Sequence, residues 1–72
     1  MAQLIAYVAL RKDAGGTEFA YLPSTSIPLP AGWNYGKDRS GNFATQDVTA
    51  IAQGASLEET CRMMSSRSGI TL

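Results

Sequence analysis

A chain of 72 residues with six acidic and six basic side chains, one cysteine and no histidine restricts the chemistry open to this protein. The single cysteine excludes an internal disulfide, and the absence of histidine excludes Ser-His-Asp and Cys-His catalysis within the chain. The zero net charge disfavours non-specific nucleic-acid binding, which depends on neutralising phosphates. We therefore expect one small domain over residues 1–72 that is not an enzyme and uses no cofactor or metal.

The same features predict where the chain acts and what supports its fold. A free cysteine and the lack of a recognisable secretion signal favour a reducing cytoplasm, and no apolar run is long enough to span a membrane. A chain this short has a thin core. We therefore expect support from another protein or from a second copy of the chain.

The N-terminal third predicts a β-hairpin. Residues 4–10 are apolar at both alternating positions, which is typical of a central strand covered on both faces. Residues 11–16 end in two glycines and predict the turn, and residues 17–22 predict the second strand. Pro23 ends that strand because proline has no N–H to donate to the ladder.

The middle of the chain predicts a surface loop and then a second, shorter hairpin. Residues 24–32 are rich in Ser, Thr and Pro, and we expect Ile27 and Leu29 to hold this loop against the sheet. Aromatic residues then flank the turn-forming run 37–42, which predicts a hairpin closed by residues 43–45.

The C-terminal third predicts a helix from Leu57 to about Ser66. Ser56 and Glu59 form a capping box, with Ser56 as the N-cap, and Gly69 is placed to end the helix. The apolar stripe expected to face the sheet consists of Leu57, Thr60, Cys61 and Met64.

Residues 47–53 fit two interpretations. Val48, Ile51 and Ala52 have helical spacing, whereas Val48, Ala50 and Ala52 alternate as in a strand. Gly54 separates either element from the helix that follows. The predicted fold class is α+β: an antiparallel sheet of three or four strands, built from the two hairpins, with one C-terminal helix packed on it.

The second hairpin also contains the candidate site. Its aromatic residues lie beside basic ones, and three interpretations stay open: core filling, a protein interface, where Trp, Tyr and Arg are enriched, and a surface that stacks single-stranded nucleic acid. The candidate partner-binding residues are Trp33, Tyr35, Lys37, Arg39 and Phe43. Elsewhere we interpret Cys61 as a core residue, and the neighbouring Glu58 and Glu59 as helix-capping residues.

Residues 51–59, Ile-Ala-Gln-Gly-Ala-Ser-Leu-Glu-Glu, resemble the entry into the helix of HicB-like antitoxins. In that family a short strand runs through a glycine into a helix that opens with Thr or Ser, an apolar residue and acidic residues. The hairpin of residues 4–22 also suits the family's β-β-β-α core. The chain lacks the family's Pro-Asp-Leu-Pro-Gly segment, and residues 23–46 would be a long insertion.

Two functional hypotheses follow. The first is a non-enzymatic protein-binding module, a small inhibitor or adaptor of the kind that phages and mobile elements encode, which acts by occluding a partner protein. The alternative is an antitoxin of the HicB-like type or a small regulator that contacts nucleic acid.

Overall fold

The computed structural model of the chain describes residues 3–66 and residue 70. Its elements are β1 (Ile5–Asp13), β2 (Gly16–Leu22), β3 (Asn34–Tyr35), β4 (Thr45–Asp47), α1 (Thr49–Ala52) and α2 (Leu57–Ser66). The four strands form one antiparallel sheet, so the predicted α+β class is confirmed. Gly69, predicted to end the helix, lies outside the described residues.

β1 is the central strand of the sheet, as its two apolar faces predict. β2 pairs along one edge of β1, and both β3 and β4 pair along the other. β3 lies opposite Leu10 and Ala9, whereas β4 lies opposite Tyr7, Ala6 and Ile5. The two short strands therefore follow one another along a single edge of the sheet.

The first hairpin is longer than predicted. β1 continues through polar residues to Asp13, and the turn contracts to residues 14 and 15. The Nη2 atom of Arg11 donates to Oε2 of its cross-strand neighbour Glu18 at 2.7 Å. Asp13 accepts a hydrogen bond from the N–H of Gly15 at 2.8 Å. Polar cross-strand pairs thus extend a ladder whose length the apolar pattern does not indicate.

The sheet has a buried cluster on each face, because Ala6 and Ala9 of β1 differ in parity and point to opposite sides. On one side, which we call the loop face, the buried cluster is Ala9, Ala20, Leu22, Trp33 and Ile70. On the other side, which we call the helix face, it is Ala6, Val48 and Cys61. Ile27 and Leu29 of residues 23–33, the covering loop, pack on the loop face as predicted.

Helix α2 has the predicted bounds and packs on the helix face. Ser56 caps it, since its Oγ atom accepts a hydrogen bond from the N–H of Glu59 at 3.1 Å. In the last turn, the buried hydroxyl of Ser65 donates to the carbonyl of Tyr21 in the edge strand β2. The helix is therefore fixed to the sheet by a polar contact as well as by its predicted stripe, whose Leu57, Cys61 and Met64 join the helix-face cluster.

Residues 49–52 form the short helix α1, so the helical interpretation of this segment is confirmed and its strand interpretation is wrong beyond Asp47. Val48 and Ala52 are buried on the same side of the turn. Gly54 has a φ of +91°, a left-handed conformation that glycine adopts without strain, and this breaks α1 from α2. A helix therefore stands where the HicB-like resemblance implies a strand.

Candidate binding site

Residues 37–43 interrupt the edge formed by β3 and β4, and we call this projecting hairpin the finger. The chain leaves the edge at Gly36, whose N–H donates to the carbonyl of Val8 at 2.7 Å. It returns at Ala44, whose carbonyl accepts from the N–H of Val8 at 3.0 Å. The Ala44 N–H also donates to the Gly36 carbonyl at 2.8 Å, which closes the base of the finger. All of its residues are exposed.

The tip of the finger is held by its own hydrogen bonds. The Asp38 N–H donates to the Asn42 carbonyl at 2.8 Å, and the Gly41 N–H donates to the Asp38 carbonyl at 3.1 Å. The Oδ1 atom of Asp38 accepts from the N–H groups of Ser40 at 2.9 Å and Asn42 at 3.0 Å. Gly41 has a φ of +87°. A tight turn followed by a left-handed glycine is a common three-residue hairpin loop, so the tip holds its shape locally.

Four of the five predicted site residues form a row along the loop face and the finger. The rings of Tyr35 and Phe43 meet edge to face, with centroids 5.9 Å apart and an interplanar angle of 74°. Lys37 places its Nζ atom 5.2 Å from the centroid of Phe43. At the other end, the guanidinium carbon of Arg11 lies 5.3 Å from the ring centroid of Trp33. The row therefore ends in a cation over an aromatic ring on both sides.

Two members of the row serve the fold. Trp33 is only 6% exposed and belongs to the loop-face cluster, so of the three interpretations of the aromatic group, core filling applies to Trp33. The hydroxyl of Tyr35 donates to the carbonyls of Ser24 at 2.9 Å and Ile27 at 3.0 Å, which holds the covering loop on the sheet. Burial raises the pKa of the Tyr35 hydroxyl above its ordinary value. Both residues therefore contribute to the fold, and neither lies within the finger.

The other three predicted residues are exposed on the finger. Phe43 is 41% exposed, and within residues 3–66 neither Lys37 nor Arg39 forms an ion pair. Arg11, at the opposite end of the row, is instead neutralised by two carboxylates, with Glu18 at 2.7 Å. The finger thus presents an aromatic ring and two cations that form no ion pair within the described part of the chain.

The chain has a second surface feature that the sequence analysis missed. An open depression of about 370 Å³ lies on the outer side of α2 and is lined, among the described residues, by Glu59, Arg62, Met63 and Ser66. Met63 is 57% exposed. The spacing of these residues at i, i+3, i+4 and i+7 was the available signal for a shared helix face.

The remaining reactive groups do not assemble into a site. Cys61 is fully buried on the helix face, and burial raises the pKa of its thiol. Among residues 3–66 and 70, no group of three or more acidic or cysteine side chains is placed to hold a metal ion. In the same residues, no helix is both long enough and apolar enough to cross a membrane.

Comparison with known proteins gives no match: no family model fits the sequence, and no curated protein or solved structure is significantly similar to it. The HicB-like resemblance therefore rests on the residues quoted for it.

Proposed function

We propose that this protein is a non-enzymatic binding module, a small inhibitor or adaptor that engages a partner protein through its finger and occludes part of that partner's surface. The observation that carries the proposal is the finger itself. It combines a hydrogen-bonded tip, an exposed aromatic ring at Phe43, and the cations Lys37 and Arg39, which are unpaired within the described residues.

A finger of this kind suits binding for an energetic reason. Ordering a loop on association costs free energy, and a loop that is already ordered avoids most of that cost. The bonds that Asp38 makes to Ser40 and Asn42 supply this order. Aromatic and arginine side chains also contribute most to protein interfaces when they fill the centre of the contact. Phe43 and Arg39 are the finger's residues of those types.

The finger is too small to supply a whole interface. A stable complex buries about 800 Å² on each partner, which takes roughly 20 residues or more. The seven residues of the finger and the three of the adjacent, exposed edge strand β4 make ten, so the partner must also contact further residues around them. Occlusion of a partner by this combined surface is the mode of action that we propose.

The chemistry of the chain supports a role without catalysis in a reducing compartment. The sequence has no histidine, and its one thiol, at Cys61, is buried and free. We extend the proposal to a cytoplasmic location and to the class of small regulators that phages and mobile elements encode. That assignment rests on size, neutrality and lack of catalytic residues, which is an argument by analogy.

A nucleic-acid-contacting regulator is the second candidate. The specific observation in its favour is the cation of Lys37 over the exposed ring of Phe43, because bases stack on such rings while cations meet phosphates. Against it stands the equal count of acidic and basic residues in the whole chain, which leaves no basic excess to follow a phosphate backbone.

Affinity capture from native lysate, with and without nuclease, tests the proposal. The tagged chain should retain one stoichiometric protein partner that survives nuclease. Phe43→Ala should lose it, whereas Ile51→Ala should retain it, since Ile51 is also an exposed apolar residue, at 53%, but lies on α1. Lys37→Gln, which keeps the Phe43 ring, provides a second finger variant.

Circular dichroism must show that each variant is folded. Capture of the same partner by the wild type and by both finger variants would contradict a role for the finger. Partners that disappear on nuclease treatment would instead favour the nucleic-acid regulator.

A further inference from the structure

We infer that the finger recognises an acidic protein segment, in which clustered Asp and Glu side chains of the partner meet Lys37 and Arg39. The inference rests on the proposed function and adds the chemistry of the partner. It follows from the charges that the finger exposes and from the partners that those charges have.

The finger contains two cations and one carboxylate, and the carboxylate is engaged internally. Asp38 directs Oδ1 to the N–H groups of Ser40 and Asn42, where it holds the turn. Lys37 and Arg39 make no ion pair within the described residues. The finger therefore has a net charge of +1, from two cations and one exposed carboxylate that is hydrogen-bonded to its own turn, although the chain as a whole is neutral.

The two cation–ring pairs at the ends of the row differ in whether a carboxylate of the protein balances the cation. Arg11 over Trp33 and Lys37 over Phe43 are equivalent pairs of a cation and a ring, at 5.3 and 5.2 Å. Arg11 is matched by Glu18 at 2.7 Å, so its charge is balanced inside the protein. Lys37 has no such carboxylate among the described residues, so a carboxylate brought by a partner would complete the same arrangement.

The geometry favours carboxylates on a polypeptide over the phosphates of a nucleic acid. Contact between Lys37 and the Phe43 ring limits the positions of the ammonium group and leaves N–H groups free to donate. Arg39 can meet a carboxylate with two parallel hydrogen bonds. The exposed part of Phe43 offers contact to an apolar residue between acidic ones. A phosphate backbone would need more cations along its path than these two.

Selection from a random peptide library tests the inference even while the natural partner is unidentified. A phage-displayed dodecapeptide library would be panned on the immobilised full chain, and selected peptides would be titrated by fluorescence anisotropy. We expect selected peptides to be richer in Asp and Glu than the unselected library. The double variant Lys37→Gln/Arg39→Gln should bind them more weakly, by up to about 25-fold, because each of two exposed ion pairs contributes a factor of up to about five.

The matched control is Lys12→Gln/Arg62→Gln, which removes two exposed cations from β1 and α2 and changes the net charge equally. It should bind the selected peptides as the wild type does. Selected peptides with no excess of acidic residues, or equal weakening by both double variants, would overturn the inference. Tighter binding to a single-stranded oligonucleotide than to any selected peptide would overturn it in favour of nucleic acid.

The two proposals can fail separately. If lysate capture depends on Phe43 but the library yields no acidic peptides, the binding module stands and the acidic partner is refuted. If acidic peptides are selected but no partner is captured in the lysate experiment, the finger's chemistry is supported while the proposed function fails.

Discussion

Replacing Tyr35 with phenylalanine should loosen the covering loop while leaving the aromatic row in place. The hydroxyl of Tyr35 donates to the carbonyls of Ser24 and Ile27, and this polar contact ties the loop to β3. The ring would keep its edge-to-face contact with Phe43. The substitution therefore separates the role of one hydroxyl from the packing of the ring.

The size of the effect follows from the geometry. A hydroxyl has one proton, so its two contacts amount to one shared hydrogen bond, with a net value of about 1 kcal/mol. Tyr35 is partly exposed, so water can reach the carbonyls of the variant and no larger desolvation cost is expected. In a domain of this length, about 1 kcal/mol lowers Tm by about 4–8 °C.

Thermal unfolding followed by far-ultraviolet circular dichroism measures the effect. Tyr7→Phe is the matched control, because the Tyr7 hydroxyl forms no hydrogen bond in the described part of the chain. The anchoring role would be refuted if the Tm of Tyr35→Phe lay within about 1 °C of the Tm of Tyr7→Phe, because a difference that small is comparable to experimental error.

The pH dependence provides an independent check of the same group. Burial raises the pKa of Tyr35 above its ordinary value of 10.0, so the folded state holds this proton more tightly than the unfolded state does. The stabilisation is complete below about pH 10 and is lost as the pH rises through the folded-state pKa. The free energy of unfolding should therefore fall more steeply above pH 10 in the wild type than in Tyr35→Phe.

Four further predictions concern the helix, the finger and the buried thiol. Ser56→Ala should lower the free energy of unfolding in urea by about 1 kcal/mol, because the cap on α2 is lost, whereas Ser56→Asp should retain it. Gly41→Ala should lower the free energy of unfolding by about 1–2 kcal/mol, because residues other than glycine are strained at its φ of +87°. Gly41→Asn should lower it less. Asp38→Ala should speed tryptic cleavage after Arg39 without a large change in Tm, because it removes the side-chain bonds that hold the tip; an unchanged cleavage rate would contradict this. Burial raises the pKa of Cys61 above 9.0, so stability should fall as the pH rises above about 9, and Cys61→Ala should reduce that slope.

Features that depend on residues close together in the sequence could be predicted from it. The start of α2 follows from the cap in which the Oγ atom of Ser56 accepts a hydrogen bond from the N–H of Glu59, and the break at Gly54 follows from its conformation. The apolar positions of residues 4–10 correctly indicated a central strand. The extension of β1 to Asp13 depends on polar partners in the next strand, and an apolar pattern does not record them.

The finger could be located in the sequence but its attachment could not. A hairpin predicted from turn residues is expected to pair its two arms with each other, yet outside the Lys37–Phe43 bridge both arms pair with β1. Their meeting point at Val8 is distant in sequence, and no local signal specifies it.

The sequence predicted one aromatic group at the site, but the structure buries one of its members, Trp33, and exposes another, Phe43. Trp33 and Phe43 have the same preference for strands and interfaces, so composition cannot say which of them is 6% exposed and which is 41% exposed. Arg11 was absent from the predicted group because it belongs to another strand, although it completes the row by its contact with Trp33. Only the register of β1 against β3 brings these residues together.

The attachment of the finger makes it replaceable. Because the chain leaves and rejoins the edge against the same residue, Val8, a finger of different length or composition would leave the pairing of β3 and β4 with β1 unchanged. Substitutions in the finger should therefore act on its own turn rather than on the strand pairing of the sheet. A scaffold with this property offers a position where a chosen peptide loop could be grafted.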